Sequence, residues 1–420
     1  MGVILKSISP TDMSGKTAHP FARPFYMMAK PAGSACNLAC SYCYYLEKKY
    51  LYSQANSYLM DDELLEKFIS EYMESVTGPE VLFTWHGGET LLRKPSFYQK
   101  AIQLQAKYAR GRQVDNCIQT NGTLLTPEWC TFFRQNNWLV GISLDGPEEF
   151  HDAYRITVQG KGSWKKVMEG VNLLNRYGVE WNALATVNRL NGSAPLEFYR
   201  FFKHIGCRFL QFTPVVERLT SHLDGRTLAT ANEQAPLADF SVTPEQWGDF
   251  TCRIFDEWVR NDVGSIFVQL FDSTLANWAG YPPGNCALSN QCGHAGVIEW
   301  NGDVYSCDHF VFPQYRLGNI KTQTLVEMMY SPRQKIFGQQ KVQGLPKQCR
   351  QCTWLFACHG ECPKNRFCKD RYEQPGLNYL CNGYRHFFSH VAPYMDFMKR
   401  QQQAGLPPAS IMEWLEHNEH

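Results

Sequence analysis

A chain of 420 residues leaves room for two or three domains and a large core. Its 41 lysines and arginines against 40 aspartates and glutamates exclude the basic field of a nucleic-acid binder. No stretch approaches the roughly 20 apolar residues of a membrane span, and positions 1–20 lack the apolar run of an export signal. The sixteen cysteines therefore read as metal-ligating or buried thiols of a cytoplasmic protein rather than as disulfides.

The chain opens with an extension, 1–24, followed by a predicted strand over 25–29. That strand runs into a loop carrying Cys36, Cys40 and Cys43 at the spacing C-x3-C-x2-C. Three thiolates can hold a four-iron cube and leave one iron open to a small molecule, whereas four thiolates close the site. C-x2-C pairs also build zinc knuckles, so zinc stays open from the triplet alone. Beyond it, apolar runs and amphipathic stretches alternate. Helices are expected over 60–74, 95–109, 126–136, 163–177 and 195–205, the first with an acidic opening turn and the third capped by Thr126. Strands are expected over 80–85, 115–119, 138–144, 180–187 and 208–216. This rhythm predicts an α/β fold with a parallel sheet; spacing alone does not separate a partial barrel from a doubly wound sheet.

Positions 217–242 lose the rhythm and read as an irregular insertion, followed by a helix over 244–261 and a strand over 265–270. Strand ends are where such folds place chemistry. Each carries a suggestive loop: His86-Gly87-Gly88-Glu89, Gln119-Thr120-Asn121-Gly122, and Ser143-Leu144-Asp145-Gly146-Pro147. Polar turns capping the next helices are the plainer reading of the last two. From Cys286 the composition changes. Cys286, Cys292, Cys307, Cys349, Cys352, Cys358, Cys362 and Cys381 would suit two clusters of four ligands, or a pair of zinc sites. Asn301-Gly302 is a strong hairpin signal, and its returning strand delivers Cys307. Cys117, Cys130, Cys207 and Cys252 read as buried thiols, and Cys368 as a bystander. The division expected is 25–270 for the barrel domain, 271–394 for the cysteine-rich domain and 395–420 for a tail. There is no internal repeat and no low-complexity tract.

The cysteine triplet, with Tyr42 before its last member, resembles the signature of radical S-adenosylmethionine (SAM) enzymes. The spacing from Cys286 onward, with Gly302 before Cys307, resembles their SPASM extension. Within that group the chain is most similar to the anaerobic sulfatase-maturating enzymes. The similarity extends through Gly87-Gly88-Glu89, Ser143 to Pro147, Gln211 to Glu217, Gly302 to His309 and Tyr315 to Asn319. The resemblance implies a partial (β/α)6 TIM-like barrel with a C-terminal SPASM domain, SAM, and three [4Fe-4S] clusters. Cys36, Cys40 and Cys43 would hold the SAM-binding cluster. Cys286, Cys292, Cys307 and Cys362 would hold one auxiliary cluster, and Cys349, Cys352, Cys358 and Cys381 the other.

It further places Gly87, Gly88 and Glu89 at the SAM amino group and Ser143 at its carboxylate or ribose. Asp145 would shape that pocket, Arg155 could pair with the carboxylate, and Val187 would lie near the adenine. Asp308 would be the base, with Tyr45 and His86 near the substrate. His86 stands where the family usually has Gln, which leaves the peptide contact open. The implied reaction oxidises a Cys or Ser of a sulfatase, in a Cys/Ser-x-Pro-x-Arg segment, to Cα-formylglycine without oxygen, with an electron donor such as flavodoxin or ferredoxin. A SPASM-type peptide maturase forming thioether or carbon-carbon crosslinks is the alternative enzyme, and an iron-sulfur or zinc scaffold the alternative without catalysis.

Overall fold

The computed structural model describes residues 24–52, 58–219 and 235–418. Six strands lie in chain order: β1 (Tyr26–Lys30), β2 (Glu80–Trp85), β3 (Gln113–Thr120), β4 (Leu139–Ser143), β5 (Trp181–Val187) and β6 (Phe209–Pro214). Each pairs in parallel with the next, and the helices between them make a partial (β/α)6 barrel. Local sequence sets the helix starts. Asp61 accepts from Leu64 N, Thr126 accepts from Trp129 N, and Thr243 with Gln246 closes a capping box. Apolar residues three and four apart then seat each helix; in Asp62–Ser75 these are Leu64, Leu65, Phe68, Ile69, Tyr72 and Met73.

Only Phe267–Val268 of the expected strand over 265–270 forms (β7, parallel to β6). Helix Gln269–Ala279 takes over at once, because Leu270, Phe271, Thr274, Leu275 and Trp278 repeat with helical period and are buried. The expected boundary after 270 thus falls inside a helix. The boundary after 394 does too, since helix Cys381–Gln403 runs through it despite Pro393. Proline removes one helical hydrogen bond, but the stripe Tyr384, Phe387, Val391, Met395 and Met398 stays buried on both sides of it. Tyr384 and Phe387 pack on Trp247 and Phe255 of helix Pro244–Asn261. The two helices meet so closely that a Cβ on Gly383 would collide with the Pro244 carbonyl.

The cysteine-rich segment extends the barrel's own sheet. Strand β8 (Ala295–Glu299) pairs in parallel with β1, from Tyr26 opposite Ala295 to Lys30 opposite Glu299. After the Asn301-Gly302 turn, β9 (Asp303–Tyr305) and β10 (Arg316–Asn319) add antiparallel. The sheet order is β10-β9-β8-β1-β2-β3-β4-β5-β6-β7. Of the expected irregular insertion, the ends are pinned by a bridge between Arg218 and Leu237; positions 220–234, like most of the extension 1–24, lie outside the described residues. Among the described residues no helix is long and apolar enough to cross a membrane.

Candidate active site

The loop after β1 is clamped by the loop after β2. Gly33 and Ala35 carbonyls accept from Gly88 N and Glu89 N, both at 2.7 Å. A Cβ on Gly88 would strike the Ala35 carbonyl, so glycine is needed there for close approach. Glu89 is fully buried and accepts from Leu91 N (2.8 Å), Thr120 Oγ1 (2.7 Å) and Asn121 N (2.8 Å). Its oxygens are thus engaged in tying two strand-end loops together, beneath the place the resemblance gives to the SAM amino group.

Burial pushes the Cys36 and Cys40 thiols up to about 12. Arg155 pulls Cys40 and Cys43 down, and Leu38 N donates to Cys36 Sγ at 3.4 Å. Cys43 raises Cys36, and Cys43 and Cys36 together raise Cys40. Such groups stay protonated unless a metal replaces the proton; donor set, proximity and adjacent cation fit an iron-sulfur cluster.

Tyr42 and Tyr44 flank Cys43 and reach opposite aspartates. Tyr42 donates to Asp145, which also takes Arg155 Nε and Nη2 at 2.9 and 3.0 Å and Thr186 N and Oγ1 at 2.8 Å each. Burial raises Asp145, but Arg155 brings it below the ordinary carboxylate value. Arg155 is itself buried, and two of its nitrogens are committed to Asp145. Ser143 Oγ, at the end of β4, accepts from Gln119 Nε2 at 3.0 Å. Val187 ends β5, buried, and its carbonyl accepts from Val215 N.

On the other side, Tyr44 donates to Asp308 Oδ2, and Lys30 Nζ sits 2.6 Å from Oδ1. Burial opposes ionisation of Asp308, yet Lys30 overrides it and holds the carboxyl far below its usual range. Lys30, itself fully buried, also donates to His86 Nδ1 at 3.1 Å and lies 4.2 Å over the Tyr45 ring. Gly87 N donates to the same His86 Nδ1 at 2.8 Å, so that nitrogen carries no proton. Burial and Lys30 push His86 down to about 3, which keeps the ring neutral.

Tyr44 and His309, the bonded partner and the chain neighbour of Asp308, line a cavity whose walls include neither Asp308 nor Tyr45. Tyr45 turns into an apolar cluster with Met28, Val297 and Tyr305, and its hydroxyl donates to Glu299. Adjacent residues in a turn point apart, and the buried Glu299, opposite Lys30 across the β1–β8 pair, captures this one. The cavity, about 30 Å³, is walled by Tyr44, Glu47, Lys48, Glu217, His309 and Lys364, among others. Lys364 joins Glu217, so the barrel's sixth strand end and the cysteine-rich segment meet across it.

The eight later cysteines gather into two groups. Cys307 feels Cys286, Cys362 and Cys292, whereas Cys381 feels Cys349 and Cys352, and Cys358 feels Cys381 and Cys349. Left-handed backbone at His359, Gly360 and Glu361 (φ 48°, 72° and 54°) turns the chain between Cys358 and Cys362. The buried Glu361 carboxylate anchors that turn by accepting from Asn365 and Asn378. Burial pushes the Cys292 thiol up to about 11, and buried Lys341 and half-buried Arg366 counter part of that rise.

The chain is 64% identical over 405 residues to the serine-type anaerobic sulfatase-maturating enzyme of Bacteroides thetaiotaomicron, covering 96% of this chain and 98% of that one. It belongs to the anaerobic sulfatase-maturating enzymes. A serine-type member from Klebsiella aerogenes is 35% identical (90% and 87% covered), and a cysteine-type member from Clostridium perfringens 30% (88% and 97%). The radical SAM superfamily model matches residues 31–202, and that of an iron-sulfur cluster-binding domain, SPASM, matches 286–353. The solved structure "Native anSMEcpe with bound AdoMet and Cp18Cys peptide" superposes with a TM-score of 0.79 at 29% identity, covering 90% of this chain and 99% of that one. The chain is therefore a radical SAM enzyme of this family, working with SAM and [4Fe-4S] clusters. Within the family fold, the sequence alone gives no role to Lys30, Tyr44, Glu299 or Lys364. Only Lys30, a charge at the end of an apolar strand entering the cysteine loop, carried a signal that could have marked it.

Proposed function

We propose that this chain oxidises a serine of a sulfatase polypeptide, within a Ser-x-Pro-x-Arg segment, to Cα-formylglycine. The observation that carries the reading is Asp308: an ionised carboxylate held by Lys30 and by Tyr44, with Tyr44 and the adjacent His309 lining a cavity between the cysteine loop and the cysteine-rich segment. Serine rather than cysteine follows from the 64% identity to a serine-type relative. When bound at Cys36, Cys40 and Cys43, the cluster with SAM supplies a radical that takes a hydrogen atom from the target Cβ, and the auxiliary clusters supply an acceptor for the electron left behind.

The chain's own residues do the rest. Asp308 accepts the hydroxyl proton. Each of its oxygens keeps a lone pair free beside the Lys30 or Tyr44 contact, and Lys30 fixes the carboxylate in its charged, accepting form. Such general-base assistance is worth roughly 10²–10⁴ in rate. Gly87 and Gly88 let backbone approach the SAM amino group, and Ser143 meets its polar end. Asp145 and Arg155 form the wall beside it, and Val187 backs the adenine. Neutral His86, in place of glutamine, offers its Nε2–H to the peptide. The reductant is a flavodoxin or ferredoxin, and the setting the cytoplasm of a cell living without oxygen.

The test is anaerobic turnover of matched Ser-x-Pro-x-Arg and Cys-x-Pro-x-Arg peptides, read by mass spectrometry with a hydrazine trap for aldehyde. The serine peptide should lose two hydrogen atoms and form the hydrazone, faster than the cysteine peptide. Loss of two hydrogens without a trappable aldehyde would indicate a crosslink and overturn the reading.

A further inference from the structure

The second group of cysteines does not lie in a closed core. Cys349, Cys352, Cys358 and Cys381 line a cavity of about 140 Å³ whose wall also includes Arg371 and Arg385, both exposed. Lys347 and Arg350, exposed as well, lie two residues before Cys349 and one after it. Lys347 and Arg371 both stack on Tyr372, at 4.4 and 4.9 Å from its centroid. None of these four cations makes an ion pair among the described residues. The neighbouring acids are already engaged: Glu373 pairs with Lys369 at 3.1 Å, and Asp370 accepts from the backbone of Gln348, Tyr372 and Gln374. Two large aromatics are left open to solvent nearby, Phe356 at 43% and Tyr372 at 40%.

We infer that this face is the docking surface for an acidic one-electron carrier protein, a flavodoxin or small ferredoxin, which exchanges electrons with the chain through the group of Cys349. The inference rests on the proposed function and deepens it. A small apolar centre with a rim of one charge is the chemistry of a transient encounter, in which steering sets the rate and little area is buried. The rim is basic although the whole chain is charge-balanced, so the complement is a protein with an acidic face. The electron count gives the carrier its role. One electron enters when SAM is reductively cleaved to methionine and a radical. That radical takes one hydrogen atom from the serine Cβ, the hydroxyl proton passes to Asp308, and one electron remains. The oxidised carrier takes that electron at this face.

The test titrates the holoenzyme with an oxidised flavodoxin, and separately with a ferredoxin, by anaerobic calorimetry at low and high salt. Lys347→Glu/Arg371→Glu should weaken binding by about tenfold or more at low salt. The variant and wild type should converge as salt screens the rim, since the Debye length falls from about 10 Å at 0.1 M to about 3 Å at 1 M. Iron content and SAM cleavage driven by a chemical reductant should be unchanged, which separates this surface from the catalytic reading. If the reversal costs iron, Arg371→Gln in the same titration decides. Weakened binding of either carrier supports the surface. Binding of both carriers that is unmoved by the loaded variant, or insensitive to salt, overturns it.

Discussion

Two buried aspartates, Asp145 and Asp308, stand on either side of Cys43 in nearly the same dress. Each faces a tyrosine from the cysteine loop and one buried cation. Asp145 accepts five hydrogen bonds, from Tyr42, Arg155 and Thr186. Among the described residues the Asp308 carboxylate contacts only Lys30 and Tyr44, and Tyr44 in turn lines a cavity. A saturated carboxylate holds a wall in place, while an unsaturated one can receive a proton. The cations differ in the same sense, since guanidinium cannot shed its charge in a protein and a buried ammonium can.

The sharpest way to break this comparison is Asp308→Asn. Formylglycine formation should fall by roughly 10²–10⁴, with iron content and deoxyadenosine release retained because the isosteric amide keeps the packing around Lys30 and Tyr44. An equal loss of iron and product would make Asp308 an anchor like Asp145. Asp145→Asn should do the converse. It strands the Arg155 charge in the interior, at about 3–5 kcal/mol of stability, and thermal unfolding together with SAM affinity should register it. A melting curve like wild type would show that the five-bond wall is dispensable.

Smaller changes sharpen the contrast. Tyr42→Phe and Tyr44→Phe each remove one hydroxyl, worth about 1 kcal/mol. The first should appear in stability at unchanged turnover per folded enzyme. The second should appear in product formation by severalfold, read as product per deoxyadenosine. The last contrast concerns pH. Both aspartates have folded pKa values below the ordinary one, so their ionisation adds stability above about pH 3.9 that is lost as the pH falls below it. Glu299 has the opposite sign, raised by burial to about 7. Its contribution therefore declines as pH rises from about 4.3 to about 7. Glu299→Gln should flatten unfolding free energy across that window; an unchanged slope would place the titration elsewhere.

Much of the fold was legible because local signals and global fold agree. The six strands fall within a few residues of expectation, and Thr126 caps its helix as expected, accepting from Trp129 N. What was illegible depends on tertiary pairing. Which of Tyr44 and Tyr45 faces Asp308 is decided by Glu299, which β8 brings beside β1. Lys30 stands out as a charge ending an apolar strand, but its partner Asp308 arrives from a distant hairpin. The helical period from Leu270 overrode β propensity at 269–270 through burial that no short window contains.

The pairing of β1 with β8 has a consequence for how the enzyme comes into being. Tyr26 leaves the ribosome early, and its partner Ala295 follows only after most of the chain. At about 5–20 residues per second that interval is on the order of tens of seconds, during which β1 is a bare apolar edge open to wrong partners. Asp308 emerges after β8 and is fixed beside Lys30 only once that gap is closed. A newborn chain thus carries its first three cysteines long before Asp308 stands beside Lys30, and the late strand is what joins the two halves.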